Sequence, residues 1–336
     1  MFTFVTITYN HEKFIIMHLE SIKYQVQSFF QNVKTALIIS DDGSCDQTLR
    51  YCKSWIEKNR DIFEKVTILG DGTNRGTCRN LINAFGHLKS DRFFLLAGDD
   101  VYGYKNLLNV IKLLKGNDII SAPCPAFCTD VCGNYIVDTE YRTYKSNIAR
   151  GLSHPLLYRA FTIAGCLTEA PPTVYRRSLL SKAVMDFTAS FHLIEDQPLM
   201  YALLKERKIK LLFLDYAYVL YRIHSDSISH TNNEDVCGLA GEDLEKLNAY
   251  YAAHEKNLLY QYLIFLRWHM LQGSRWSSFL FPTNHYLVIK QKFFGKKVKQ
   301  YYNKAVRDDS PKLLEHLQML DKRAGEFRKI YYGMEE

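Results

Sequence analysis

Hydrophobic and polar positions alternate between two rhythms along the first third of the chain. Residues 2–8 (FTFVTIT) form a near-continuous run of aromatic and β-branched side chains, the composition of a strand buried on both faces. Over residues 11–25 the apolar-spaced positions are Phe14, Ile15, Met17, His18, Leu19 and Ile22, which share one face of a helix packed on a sheet. Residues 33–40 return to a strand pattern and end in Asp41-Asp42-Gly43-Ser44, a turn of short polar residues. The same sequence repeats: a helix over 46–59, a strand over 65–69, a turn at Asn74-Arg75-Gly76 and a helix over 77–88. A strand over 92–96 then runs into Ala97-Gly98-Asp99-Asp100, followed by a helix over 105–114 and a strand over 118–122.

Strands that alternate with helices of about 10–15 residues predict an α/β fold with a doubly wound, mostly parallel sheet. Ligands of such sheets bind beyond the carboxyl ends of the strands. Two carboxylate pairs, Asp41/Asp42 and Asp99/Asp100, fall at those ends. Either pair alone could be a turn or a helix cap; two on one rim point to a ligand site.

After residue 122 the pattern loosens. Residues 140–173 are irregular and aromatic, with Pro155, Pro171 and Pro172. Helices are predicted over 178–187 and from Glu195-Asp196 to about 207, with short strands over 209–215 and 217–223. Beyond His230 the pattern predicts helices over 235–254, 257–272 and 312–332. The expected organisation is a main domain over 1–230, in two parts (1–122 and 123–230), followed by a carboxy-terminal helical region over 231–336.

Composition narrows the picture only a little. The chain has 336 residues, 47% of them hydrophobic, enough for one sizeable core. Forty-three Lys and Arg against 36 Asp and Glu give a charge of +7, an excess that suits an anionic small molecule, a nucleic acid or an anionic membrane without selecting one. The eight cysteines form no CxxC pair, so the usual zinc and thioredoxin signatures are missing. Cys124, Cys128 and Cys132 are spaced by four, but Pro123 and Pro125 argue against the helix that would align them. The amino terminus lacks the features of a signal peptide, and no window is apolar enough to span a membrane. The expectation is a cytoplasmic protein, with peripheral attachment to the inner face of the cell membrane left open.

No GxGxxG follows the first strand and no GxxxxGK[ST] occurs, which argues against ordinary dinucleotide and P-loop chemistry. Acidic strand ends would repel an anionic nucleotide unless a divalent cation lay between them. Oxygen ligands of this kind suit Mg2+ or Mn2+. Asp99-Asp100 therefore reads as a metal and ribose site, and Asp42 as an acceptor for a base N–H.

Five segments in order, VTITYNHEKF, IISDDGSCDQT, NRGTCRNLINAF with FFLLAGDD, IEDQPLMYALL and LYRIHSDSIS, resemble the family-two inverting glycosyltransferases with the GT-A fold across residues 1 to about 230. The resemblance implies Thr8 and Tyr9 near the nucleobase, Asp42 on the uracil and Arg79 beside the nucleotide. It implies Asp99 on the ribose, Asp100 as metal ligand and His224 completing the metal shell or touching the diphosphate. Asp196 matches the catalytic base, and Glu195 a residue that orients it or the acceptor. Gly98-Asp99-Asp100 departs from the Asp-x-Asp of many relatives, and the missing first carboxylate is what favours Asp100 for the metal.

The implied reaction is a single displacement with inversion. A sugar passes from a nucleotide-sugar donor, with UDP favoured by the resemblance, to a saccharide or lipid-linked acceptor in surface polysaccharide or glycoconjugate synthesis. No nucleic-acid partner is implied, and a homo-oligomer stays open. A sugar-phosphate nucleotidyltransferase would carry a glycine-rich basic loop after the first strand, where this chain has TYNHEKF. A non-catalytic binding subunit would be expected to lose Asp99/Asp100 or Asp196, which are present. Residues 260–271 (YQYLIFLRWHML), Trp276, Phe279, Phe281 and the lysines from Lys290 to Lys299 suit either an interfacial segment on an anionic membrane or a packed helical subdomain.

Overall fold

The computed structural model describes residues 1–139, 155–165, 169–225, 227, 231–273, 280 and 295–333. The strand-like runs of the first third become β1 (Phe2–Thr8), β2 (Thr35–Asp41), β3 (Lys65–Leu69) and β4 (Arg92–Ala97). Between them lie α1 (Ile15–Phe29), α2 (Thr48–Asn59) and α3 (Thr77–Gly86). Next come β5 (Val101–Tyr102), α4 (Leu107–Leu113), β6 (Ile119–Ser121), β7 (Ala126–Thr129), β8 (Tyr135–Asp138), α5 (Pro155–Ile163) and β9 (Val174–Arg176). The remainder holds α6 (Lys182–Ala189), α7 (Asp196–Glu206), β10 (Leu211–Phe213), β11 (Val219–Arg222), α8 (Glu234–His254), α9 (Leu258–Leu271) and α10 (Gly295–Tyr332).

Seven strands form the main sheet in the order β10-β6-β9-β4-β1-β2-β3. All its pairings are parallel except those of β9, which runs antiparallel to both β4 and β6. The expected mostly parallel α/β sheet is present, and β9, just after the irregular stretch 140–173, is a strand that the sequence pattern did not predict. Side chains on β1 alternate between two cores, as the two-residue period requires. Phe2 and Phe4 join α1, α2, α4 and part of α10, whereas Val5 joins α3, α5 and α7.

A second sheet, β5-β11-β7-β8, stands beside the first. β7 and β8 form an antiparallel hairpin, so Cys128 lies on a strand and Cys132 in the turn. The helices beyond residue 230 share cores with the elements that precede them. Leu247 and Tyr251 of α8 and Tyr260, Leu263, Ile264 and Leu266 of α9 pack with Ala160, Ile163 and Tyr201. Leu313, Leu317, Leu320, Ala324 and Phe327 of α10 belong to the cluster that contains Phe4 and Leu19. On α9, Leu258, Tyr262 and Phe265 form an outward apolar ridge, flanked by Trp268. Among the described residues, no helix is long and apolar enough to cross a membrane. The segment 281–294 and the side chains of Lys296, Lys297 and Lys299 lie outside the described residues, as do Trp276 and Phe279.

Candidate active site

Strand register builds the rim. In the β1–β2 ladder Thr8 lies opposite Asp41, and in the β1–β4 ladder Ile7 lies opposite Ala97. Both ladders continue past the strand ends. Asp42 N–H donates to the Thr8 carbonyl at 2.9 Å, and Gly98 N–H to the Ile7 carbonyl at 2.9 Å. Thr8, Asp42 and the Gly98-Asp99-Asp100 turn are thereby placed side by side.

Asp41 is spent on its own turn, accepting from Gly43 N at 3.1 Å and Ser44 N at 2.9 Å. Gly43 has φ +79°, and a Cβ there would stand 2.7 Å from Asn74 N, so glycine lets the loop 72–74 close over this turn. Asp42 accepts from Arg75 N at 2.8 Å. Burial raises its carboxyl above the usual range, partly offset by the backbone N–H groups of Arg75 and Gly76. The loop after β1 is stitched to the loop after β2: Asn10 N donates to Ser44 Oγ at 2.8 Å, and Cys45 N to Asn10 Oδ1 at 2.9 Å. Tyr9 is 44% exposed beside this seam.

The paired aspartates face different ways. Asp100 is buried, and its Oδ1 accepts from Arg222 N at 2.8 Å, extending the β5–β11 pairing by one contact. Asp99 meets two imidazoles. Its Oδ2 lies 3.0 Å from His224 Nε2 and 3.9 Å from His11 Nε2, while its buried Oδ1 has no hydrogen-bond partner. Burial would raise the Asp99 carboxyl, but His11 and His224 outweigh it and hold the group well below the usual range. Thr8 Oγ1, His11 Nδ1 and His224 Nδ1 are likewise buried without partners. The sequence resemblance implies Asp100 as the metal ligand and Asp99 on the ribose; in the structure Asp100 Oδ1 is engaged by the backbone of Arg222 and Asp99 stands against His224. Among the described residues, no three His, Cys, Asp or Glu side chains already surround one point. The donor chemistry at Asp99 and His224, with Asp99 Oδ1 left unsatisfied, nevertheless fits a divalent ion.

Three residues that the sequence did not single out for function hold this rim. Arg222 is buried, donates through Nε to the Asp99 carbonyl at 2.8 Å, and lies over the rings of Phe14 and Phe127. His18, assigned from its spacing to the packed face of a helix, bridges Thr6 Oγ1 and the Asp100 carbonyl, both at 2.8 Å. A carbonyl only accepts, so Nδ1 carries the proton and Nε2 accepts from Thr6. The neutral ring agrees with the drop in its pKa to about 4 that burial causes. His11 stands in TYNHEKF directly after the strand, a position whose only signal was its nearness to the rim.

Glu195 and Asp196 open α7, Asp196 as its first residue, where the helix dipole favours a carboxylate. Burial and then the neighbouring Asp196 charge push the Glu195 carboxyl up to about 8. Glu195 keeps some surface in contact with solvent, but protein encloses the carboxyl itself, and desolvation dominates. The preceding loop is tied to the same rim through Cys78 N–H, which donates to the His192 carbonyl at 3.1 Å. Asp243 of α8 fixes that loop, accepting from three successive backbone N–H groups: His192 at 2.9 Å, Leu193 at 2.7 Å and Ile194 at 3.1 Å. Arg79 stands apart from this group. It is exposed on α3, donates to the Ala189 carbonyl at 3.5 Å, and lines an open pocket of about 310 Å3 with Ser190, His192 and Lys246.

The profile of Glycosyl transferase family 2 matches residues 3–174, just over half of the 336-residue chain, including Thr8, Asp42 and the Gly98-Asp99-Asp100 turn. The chain belongs to that family. Solved glycosyltransferases share the fold. S. aureus TarS 1–349 is 17% identical, with 99% of this chain and 92% of that one covered at a TM-score of 0.55. The same TarS fragment in complex with UDP-GlcNAc is 18% identical over 99% and 92%, with a TM-score of 0.53. The mannosyltransferase PcManGT from Pyrobaculum calidifontis, in complex with GDP-Man and Mn2+, is 14% identical over 98% and 87%, with a TM-score of 0.56. No curated protein matches the sequence. The glycosyltransferase has a GT-A-like α/β architecture with added carboxy-terminal helices.

Proposed function

We propose that this glycosyltransferase moves a sugar from a nucleoside-diphosphate sugar to a saccharide or lipid-linked saccharide hydroxyl, with inversion at the anomeric carbon. The observation that carries this reading is a division of labour around one rim: a carboxylate–imidazole site at Asp99 and His224, and a carboxyl pair, Glu195 and Asp196, on a loop tied to that rim. Asp196 is the base. It takes the proton of the acceptor hydroxyl as that oxygen attacks the anomeric carbon and the nucleoside diphosphate leaves. Glu195 keeps its proton at neutral pH, so the pair avoids two adjacent buried charges and can donate a hydrogen bond to the acceptor or to Asp196.

Asp42 accepts from the nucleobase, with Thr8 and Tyr9 beside it, and uracil is the base favoured by the sequence resemblance. Mn2+ or Mg2+ is the implied cofactor, held by Asp99 and His224, while Asp100 secures the turn. When bound, the ion offsets negative charge on the diphosphate. The nucleotide sugars and Mn2+ named for the similar structures agree with this donor class. Synthesis of cell-surface polysaccharide or glycoconjugate is the proposed setting, at the cytoplasmic face of a membrane.

The test compares Asp196→Asn with the unmodified protein. Transfer from UDP-sugars should fall by at least about a hundredfold, the scale of general-base catalysis, while UDP affinity by calorimetry stays within about threefold. Near-normal turnover in a folded Asp196→Asn variant would remove Asp196 from the chemistry.

A further inference from the structure

Arg267 interrupts the apolar run of α9, yet it is only 2% exposed. A buried guanidinium costs stability unless its N–H groups are used. Here they tie two elements together beside the proposed base. Nη1 donates to the Ile163 carbonyl at the end of α5, at 2.8 Å, and Nη2 donates to Gln197 Oε1 of α7, at 2.7 Å. Gln197 continues the link, since its backbone N–H donates to Asp196 Oδ1 at 2.7 Å. A single residue thus joins Arg267 to the Asp196 carboxylate. The surroundings are shaped for this contact. Gly165, just after α5, has φ +86°, and a Cβ there would stand 3.0 Å from Arg267 Nη1 and 3.4 Å from Gln197 Nε2. Glycine supplies the left-handed turn and leaves room for the guanidinium against the amide. The guanidinium carbon lies 5.9 Å from the centre of the Tyr251 ring of α8, within cation–π range. Burial raises the Tyr251 phenol; the Arg267 charge offsets that rise and the Asp196 charge adds to it, so both charges act at one point.

We propose that Arg267 is a positioning residue for Asp196, holding the first turn of α7 through Gln197 so that the carboxylate meets the acceptor hydroxyl as it attacks. The inference rests on the reading of Asp196 as the base. A guanidinium suits this task because its planar fork fixes two acceptors at once, which a lysine ammonium on its flexible stem does not. Gln197 and Arg267 both lie beyond the segment that the family profile matches. The carboxy-terminal helices thereby supply a part of the active site as well as a part of the core.

The test uses the full chain and reads UDP release from a panel of UDP-sugars with water as acceptor, together with UDP affinity by calorimetry. Arg267→Lys and Gln197→Ala should each lower kcat by about ten- to a hundredfold, the scale of misplacing a reacting group by up to about 1 Å, while UDP affinity and the donor KM stay within about twofold. The double variant should lose no more than either single one, because both break one link. Gln197→Ala leaves the guanidinium in place and carries the test if Arg267→Lys does not fold.

A kcat within about twofold of the unmodified protein in folded variants would overturn the role of Arg267 and leave Asp196 as the base. Losses that multiply in the double variant, or a fall in UDP affinity that matches the fall in kcat, would also overturn it. Failure of the underlying reading looks different: Asp196→Asn would release UDP as fast as the unmodified chain, or the unmodified chain would turn over no UDP-sugar at all.

Discussion

Two adjacent carboxyls inside one cleft cannot both lose their protons cheaply, and in this protein Glu195 is the one that keeps its own. Its folded pKa is raised above the unfolded value of 4.5 to about 8. Below pH 4.5 both states hold the proton and the site is neutral toward stability. Between 4.5 and about 8 only the folded state holds it, so stability falls as pH rises. Glu195→Gln should therefore raise the melting temperature at pH 7.5 by several degrees, using about 2–4 °C per kcal/mol for a chain of this size or somewhat smaller. The gain should vanish near pH 4, and a gain independent of pH from 4 to 9 would contradict the assigned protonation. At this scale much of the site was legible. Asp42, Asp99 and Asp196 announce themselves as acids at strand ends or a helix start. The orientation of Asp99 against Asp100 was not, because two successive residues in a turn point differently only once β11 has paired with β5. His11 and Arg222 gave little signal, since their partners lie far away in sequence.

At the scale of elements, the loop that carries the proposed catalytic pair depends on a helix outside the matched family segment. Asp243 lies on α8, accepts the N–H groups of residues 192–194, and is itself buried. Charge-assisted bonds of this kind are individually worth about 1.5–3 kcal/mol. Asp243→Ala should leave UDP affinity within about threefold, lower kcat by more than about tenfold, and speed amide exchange at residues 192–194. Loss of UDP affinity with unchanged kcat would place its role elsewhere. Periodicity revealed the long elements, because an amphipathic helix or a strand buried on both faces carries its own signature. It missed β9, which has three residues and is defined by its two antiparallel neighbours rather than by any pattern of its own. An aspartate in mid-helix, such as Asp243, reads as a solvated residue until the loop it caps is known.

Across the whole molecule, the carboxy-terminal helices complete cores that begin near residue 2. α10 sends His316 to the Tyr102 carbonyl at 3.0 Å, while α1 sends His18 to the Asp100 carbonyl two residues earlier. Burial lowers both rings to a pKa of about 4 from 6.5. The unfolded chain binds these protons first, so stability is retained above pH 6.5 and lost as pH falls from 6.5 toward 4. Thermal unfolding should show that acid limb, and His316→Gln should flatten it; an unaltered limb would assign the loss to other groups. The outward ridge of α9, with Leu258 86% and Phe265 52% exposed, and the lysines that follow it in sequence support the proposal of peripheral attachment to an anionic membrane. Co-sedimentation with anionic vesicles should fall at least about fivefold for Phe265→Glu, given the few kcal/mol carried by one buried aromatic side chain; equal binding would leave the ridge without that role.

The place of α10 also has a consequence for synthesis. Tyr102 waits for His316 across 214 positions of chain. At roughly 5–20 residues per second, a ribosome takes on the order of ten to forty seconds to make that stretch. Throughout that interval the emerging sheet holds the outer face of α1 bare, ready to stick to other nascent chains. A chaperone that covers the amino-terminal half until α10 arrives would raise the yield of active enzyme more than one that acts after release.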